Sequence, residues 1–214
     1  AGTKTITATY QGSTIYKTSS TPTSHKVDPV YSVSGTIVDT GGTPLPGVSV
    51  SNGLGKTATT NSSGVYTLNF LPAGAYTITP TKLGYSFAPT QRQVTITAAN
   101  LTGIDFTATE LFYNVSGTIM DNSGHPIVGV MVADGVGHTA TTDAVGGYQI
   151  SGLRVGDYYI EPSKDGYSFS PPWQLVSITT ADRTGINFTG TRLTYSVSGT
   201  ILDNGFAPVA GVSV

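Results

Sequence analysis

The sequence contains no cysteine, which excludes disulfide bonds and thiolate ligands for a metal ion. Charge is also scarce: charged residues make up 10% of the chain and the net charge is −2. A surface of this kind does not attract nucleic acid or an anionic membrane. No apolar run approaches the roughly 18 residues that a membrane-spanning helix needs. These absences predict a protein without a nucleic-acid partner and without membrane insertion.

The chain does contain an internal repeat with a constant offset of 82 residues. The segment YSVSGTI at residues 31–37 returns as YNVSGTI at 113–119 and as YSVSGTI at 195–201. A constant period without insertions indicates one folding unit copied in tandem, and about 80 residues are enough for a small domain with its own core. We therefore predict repeat 1 at residues 31–112, repeat 2 at residues 113–194, and the first strands of an incomplete repeat 3 at residues 195–214.

Residues 1–30 are not a copy of the repeat. Thr3 to Tyr10 alternate and are rich in β-branched residues, which predicts a strand. A turn at Gln11-Gly12-Ser13 and a second strand within residues 15–20 or beyond would complete a hairpin. The ending AGTKTITATYQG resembles the closing hairpin of a bacterial Ig-like domain. From Thr21 onward the prolines favour an extended linker, and a chain that begins at Ala1 is expected to be a piece of a longer protein.

Each repeat is predicted to be all-β. About seven short alternating stretches are separated by Gly, Pro and Asn turns, and no window shows a helical period. This pattern predicts tandem seven-stranded Ig-like or transthyretin-like β-sandwiches. The residues expected in the two cores are Val33, Ile37, Val48, Tyr66, Leu68, Ile78 and Phe106 and, 82 positions later, Val115, Ile119, Val130, Tyr148, Ile150, Ile160 and Phe188.

Three segments of repeat 1 carry a family resemblance: SGTIVD at residues 34–39, GTPLPGV at 42–48 and LPAGAYTI at 71–78. Together with SGTIMDNSGHPIVGV in repeat 2, they resemble the carboxypeptidase regulatory-like domain. The resemblance implies a transthyretin-like (prealbumin-like) sandwich and a bacterial-type secreted or surface protein. Related Cna-B-like modules carry a Lys–Asn isopeptide bond, but the first strands here contain no lysine. The resemblance therefore implies the fold and not the cross-link.

Residues that could carry chemistry do not form a recurring set. His25, His125 and His138 have no metal-ligand spacing, and no Ser/His/Asp set or G-x-S-x-G motif recurs. The segment GLGKT at residues 53–57 lacks the first glycine of a phosphate loop, because position 50 is Val50. It joins two predicted strands and is interpreted as a hairpin. The sequence predicts no catalytic residue, no cofactor, no metal site and no enzymatic activity.

Some carboxylates do have a regular placement. Asp39, Asp121 and Asp203 each follow a first strand, which favours a turn cap and leaves a loose calcium site open as the alternative. Asp157, Glu161 and Asp165 form a row that is read as alternate residues of one predicted strand, which is typical of a solvated face.

Two kinds of surface site are candidates. Asn-x-Ser/Thr sequons occur four times, a mild excess over chance that permits glycosylation; they lie at Asn61, Asn100, Asn114 and Asn187. Trp173, the single tryptophan, and Tyr167 are candidates for stacking on a sugar ring. The alternative for Trp173 is packing against the preceding prolines. The aligned residue in repeat 1 is Gln91, so this feature belongs to one repeat.

Two functions remain open at this point. Tandem units, three-residue junctions and low charge favour an extracellular or cell-surface structural or adhesive protein that forms a stiff rod or filament. Its partners would be further copies of the repeat, with strand pairing at the chain ends, or surface glycans. The alternative is a set of carbohydrate-binding or spacer modules in a secreted multidomain hydrolase.

Overall fold

The computed structural model describes the backbone of residues 2–10 and 19–214 and the side chains of residues 28–214. All regular secondary structure in these residues is β-strand. They include no helix of the length and hydropathy that crossing a membrane requires. The chain divides into two units, Ala1–Leu111 and Phe112–Val214.

The N-terminal segment forms an antiparallel hairpin of β1 (Gly2–Tyr10) and β2 (Ser19–Val27). The predicted first strand is confirmed, whereas the predicted turn at residues 11–13 lies outside the described residues. The linker predicted from Thr21 onward is wrong, since this stretch is part of β2. Its Ser, Thr and Val residues suit a strand, and Pro22 is tolerated because both strands of a two-stranded ribbon are edges. The connection to repeat 1 shortens to Asp28-Pro29-Val30.

Each repeat folds into eight strands. Those of repeat 1 are β3 (Tyr31–Asp39), β4 (Ser49–Ser51), β5 (Thr57–Thr59), β6 (Val65–Leu71), β7 (Gly74–Thr81), β8 (Tyr85–Ala88), β9 (Arg92–Ile96) and β10 (Phe106–Glu110). Those of repeat 2 are β11 (Tyr113–Asp121), β12 (Met131–Ala133), β13 (Thr139–Thr141), β14 (Gly147–Leu153), β15 (Gly156–Ser163), β16 (Tyr167–Ser170), β17 (Gln174–Ile178) and β18 (Phe188–Arg192). Every strand of repeat 2 begins 82 residues after its counterpart.

The strands of each repeat form two four-stranded sheets. In repeat 1 the orders are β6-β3-β10-β8 and β5-β4-β7-β9, and repeat 2 has the same topology. The first and last strands of a repeat pair in parallel, and the other pairs are antiparallel. The all-β tandem sandwich is thus confirmed. The count of eight strands exceeds the predicted seven by one, with the short strands β8 and β16 each forming an edge of a sheet.

The core lies between the two sheets of each repeat and consists of the residues that the alternation predicts. All fourteen expected side chains are at most 5% exposed, from Val33, Ile37 and Val48 at 0% to Tyr148 at 5%. Burial of this set is the main source of stability, at about 25 cal/mol per Å² of apolar surface removed from water. Leu71 and Ile96 complete the core of repeat 1, and Leu153 and Ile178 take their places in repeat 2.

Polar groups that enter the core are paired. The buried hydroxyl of Thr142 donates to the carbonyl of Ile127 at 2.6 Å and accepts from the amide of Val130 at 2.9 Å. Thr60 makes the same two bonds in repeat 1. No buried side-chain polar atom of residues 28–214 lacks a partner. An unpaired buried polar group costs about 1–3 kcal/mol, so these bonds are maintained in the folded state. Each threonine thereby fixes the residue directly before the second sheet, Val48 in repeat 1 and Val130 in repeat 2.

Residues 195–214 do not form the predicted first strands of a repeat 3. They are exposed and have a single isolated bridge, between Leu202 and Pro208. In the complete repeats the first strand lies between two neighbours, β6 and β10 or β14 and β18. Residues 195–214 contain no counterpart of either neighbour, so the strand-forming sequence has no ladder to join.

Candidate functional site

The recurring aspartates are turn caps, as predicted. Asp39 Oδ1 accepts the amides of Gly41 and Thr43, each at 2.8 Å. Asp121 and Asp203 bind the amides two and four residues further on in the same way. These amide bonds hold the pKa of Asp39 and of Asp121 below the ordinary value of a carboxyl. Within the side chains that the structure describes, no group of three His, Asp or Glu residues converges as a metal site would require.

The hairpin between β12 and β13 contains the one buried carboxylate of repeat 2, Asp134. Its Oδ1 accepts the amides of Val136, Gly137 and His138 at 2.9–3.0 Å, and its Oδ2 lies 2.6 Å from His138 Nδ1. Burial raises the pKa of Asp134, but the hydrogen bonds from Val136 and His138 outweigh burial, so the pKa lies below its ordinary value. Repeat 1 has Asn52 at this position.

Replacing Asp134 with asparagine should destabilise repeat 2 by about 1–2 kcal/mol at pH 7, because a charge-assisted set of hydrogen bonds becomes neutral. A carboxyl whose folded pKa is lowered stabilises the fold above its unfolded pKa of about 4 and loses that contribution as the pH falls through the folded value. The difference in the free energy of unfolding between wild type and variant should therefore shrink as the pH falls below about 4. Urea unfolding followed by the emission of Trp173, which lies in repeat 2, measures it.

The matched control is Thr142→Val, which removes a neutral buried hydroxyl from the same repeat. Its cost should be the same from pH 7 to pH 3, since neither hydrogen-bond partner titrates. A gap for Asp134→Asn that stays constant over this range would show that the carboxylate acts through shape and not through charge.

The two sequon asparagines of repeat 1 cap backbone amides. Asn61 and Asn100 lie exposed, and each Oδ1 caps backbone amides, at Ser63 and Val65 and at Ser32 respectively. Asp143 and Asp182 make the equivalent bonds in repeat 2. At both positions either Asn or Asp caps the amides, in a local turn at Asn61 and through a bond distant in sequence, to Ser32, at Asn100.

The other two sequon asparagines lie within or directly before a strand of repeat 2. Asn114, in β11, pairs with Asp182, and Asn187 accepts both the amide and the hydroxyl of Thr118. A glycan on Asn114 would compete with the bond from its Nδ2 to Asp182, whereas the Oδ1 of Asn187 can keep both of its bonds with a glycan on Nδ2. Glycosylation remains a prediction for all four asparagines.

The remaining candidates do not assemble. His125 and His138 each contact their own turn aspartate, and His25 lies outside the residues whose side chains are described. The 53–57 segment is the hairpin connection between β4 and β5, as predicted. An open groove in repeat 2 contains one carboxylate, Asp143, whose Oδ1 accepts the amides of Val145 and Gly147. This groove offers no acid–base pair.

The single tryptophan lies in an exposed cluster on repeat 2. The rings of Trp173 and Tyr159 meet edge to face, with centroids 5.3 Å apart and planes at 67°. Leu175 is the cross-strand partner of Tyr159 in the pairing of β17 with β15. We name Tyr159, Trp173 and Leu175 the Trp173 face.

Tyr167, the partner suggested by the sequence, belongs to the other sheet. It lies in β16 and stacks on Phe169 at 6.4 Å, and its ring contact is not with Trp173. Sequence reasoning missed Tyr159 because proximity along the chain suggested Tyr167. The available signal was the alternation of β15, where Asp157, Tyr159 and Glu161 share the outward face.

Comparison with known proteins identifies the repeats. The family model of the carboxypeptidase regulatory-like domain matches residues 32–109 and again residues 114–191. The chain belongs to this family. The two matched ranges coincide with the two sandwiches, so the fold implied by the SGTIVD and LPAGAYTI segments is confirmed.

Two curated relatives match about two thirds of the chain or more. The chitinase ChiA of Flavobacterium johnsoniae is 36% identical over 162 residues, which cover 72% of this chain and 10% of the chitinase. The BOS complex subunit NOMO1 of Mus musculus is 30% identical over 146 residues, 66% of this chain and 12% of that protein. The chain thus spans about a tenth of the length of the curated relatives that it matches.

Among solved structures, the TIE protein of Bacillus anthracis superposes with a TM-score of 0.54 at 16% identity, covering 87% of this chain and 41% of that one. At this identity the likeness concerns the fold alone.

Proposed function

We propose that this regulatory-like pair is a non-catalytic, extracellular scaffold that spaces or displays other parts of a longer protein. The observation that carries the proposal is what the duplication retains. Strand bounds, core residues and turn caps recur at the same offset, whereas exposed features such as the Trp173 face occur in one copy. What recurs in both copies is therefore the framework and not a reaction centre.

The proposal includes further copies of the repeat as partners and a stiff rod or filament as the assembly. Its support is the short junction, because β10 ends at Glu110 and β11 begins at Tyr113. Strand pairing at the chain ends and contact with surface glycans belong to the same proposal. The extracellular or cell-surface location rests on the family resemblance, which implies a secreted or surface protein, and on the low charge of the chain.

Protease treatment of intact cells that produce the protein tests the location. An antibody against repeat 1 should lose its signal from unlysed cells, while a cytoplasmic marker stays intact. Retention of the repeat until lysis would contradict the extracellular role.

Small-angle scattering of a chain with several repeats tests the rod. The maximum dimension should grow linearly with the number of repeats, and growth with the square root of that number would indicate flexible joints.

The second candidate function is an accessory region of a secreted hydrolase, which the match to a chitinase favours. The coding sequence beyond both ends discriminates the two. Further copies at the same offset support the scaffold, and a hydrolase domain supports the accessory role.

A further inference from the structure

The Trp173 face is an apolar surface on the outward side of a sheet of repeat 2. Trp173 is 50% exposed, Tyr159 56% and Leu175 53%, although these are large side chains that gain most from burial. Tyr159 and Leu175 are a cross-strand pair, and the ring of Trp173 closes on Tyr159. The three side chains therefore form one continuous patch at the junction of β15 and β17.

Carboxylates border this patch. Asp157 and Glu161 lie on the same outward face of β15, two residues to either side of Tyr159. The pairing of Ile160 with Gln174 places Trp173, one residue before β17, next to Glu161 in the register. An aromatic surface is thus flanked by hydrogen-bond acceptors at both ends.

The fold does not need this patch. Repeat 1 has Thr77, Gln91 and Gln93 at the three positions, and its sandwich has the same strands and register. Repeat 1 also has Ala75 and Thr79 where repeat 2 has the flanking carboxylates Asp157 and Glu161. Both changes are confined to the outward face, so we attribute them to a ligand of repeat 2 and not to folding.

We propose that the Trp173 face binds a neutral polysaccharide with an extended, flat chain, such as a β-1,4-linked hexose polymer. The C–H face of a pyranose ring packs on the indole ring, the phenol ring contacts the edge of the sugar, and the sugar hydroxyls donate to Glu161 and Asp157. Because the two ring planes meet at 67°, a sugar ring stacks on one of them and meets the other at its edge. The assignment rests on the proposed contact with surface glycans and deepens it, because it names the site and the class of sugar.

The single tryptophan provides the readout. Titration of the whole chain with cellohexaose and with chitohexaose, each followed by tryptophan emission, should give a saturable change for at least one of them. Maltohexaose, whose α-linked chain is helical, should bind more weakly. Saturation by tetramethylammonium with neither β-linked sugar bound would assign the face to a cation and overturn the proposal.

Three variants give repeat 2 the residues of repeat 1: Trp173→Gln, Tyr159→Thr and Leu175→Gln. Each should weaken binding about tenfold or more, measured by calorimetry because the first removes the fluorophore. Folding of these variants is expected, since repeat 1 folds with the same residues. Tyr167→Thr, on the other sheet, is the control and should bind as the wild type does.

Two further results would overturn the proposal. One is equal sugar affinity of wild type and Trp173→Gln. The other is an emission shift that follows protein concentration without sugar, which would assign the face to self-association. Neither result would affect the protease test of the scaffold role, so failure of one proposal is distinguishable from failure of the other.

Discussion

Replacing Gly117 with alanine should lower the free energy of unfolding of repeat 2 by more than about 3 kcal/mol. A Cβ at this position would lie 1.9 Å from the carbonyl oxygen of Ile186 and 2.5 Å from its carbonyl carbon. The obstacle is backbone, and it is fixed because the amide of Ile186 donates to Ser116. Relief of the clash therefore requires separating β11 from the segment before β18. Urea unfolding monitored by Trp173 emission measures the loss.

Gly199 is the same position in residues 195–214 and provides the matched control. A Cβ there would have nothing within 4 Å, so Gly199→Ala should change stability by less than about 0.5 kcal/mol. Gly35→Ala should reproduce the large effect in repeat 1, where the Cβ would lie 2.0 Å from the oxygen of Ile104. Equal urea midpoints for Gly117→Ala and Gly199→Ala would contradict the steric explanation.

The core was predictable because its signal is local. Alternation of apolar and polar residues decides which side chains of a strand point inward, and the second copy provides an independent reading of the same pattern. Val33 and Ile37 in β3 and their partners Val115 and Ile119 in β11 are all 0% exposed. Turn caps such as Asp39 were predictable for the same reason, since an Asx turn involves only the following four residues.

The role of Gly117 was not predictable from its neighbourhood. Its glycine recurs with the repeat, but the crowding comes from Ile186, far along the chain. The pairing of Trp173 with Tyr159 likewise depends on the register between β15 and β17, which no short motif encodes.

One local feature was available in the alignment of the copies and was missed. Phe70 has a positive φ of 59°, and its counterpart Gly152 has a φ of 80°. A glycine in one copy at the position of a phenylalanine in the other indicates a backbone conformation that the phenylalanine adopts under strain.

Replacing Ile37 with alanine should cost about 2–5 kcal/mol of the stability of repeat 1, because the side chain is fully buried and the cavity closes only in part. Ile37 lies in β3, which pairs with both β6 and β10, so the loss should spread to both neighbours. Amide hydrogen exchange resolved by peptide measures this effect, and protection should fall throughout β3, β6 and β10.

Two further variants serve as comparisons for Ile37→Ala. Ile119→Ala is the same change in repeat 2 and should cost a similar amount, read from Trp173 emission, since both isoleucines are 0% exposed. Leu54→Ala removes a side chain that is 72% exposed in the hairpin after β4, and it should change protection by less than about 0.5 kcal/mol. If Ile37→Ala cost no more than Leu54→Ala, the space between the two sheets would not be the packed core from which the stability of the repeat is derived.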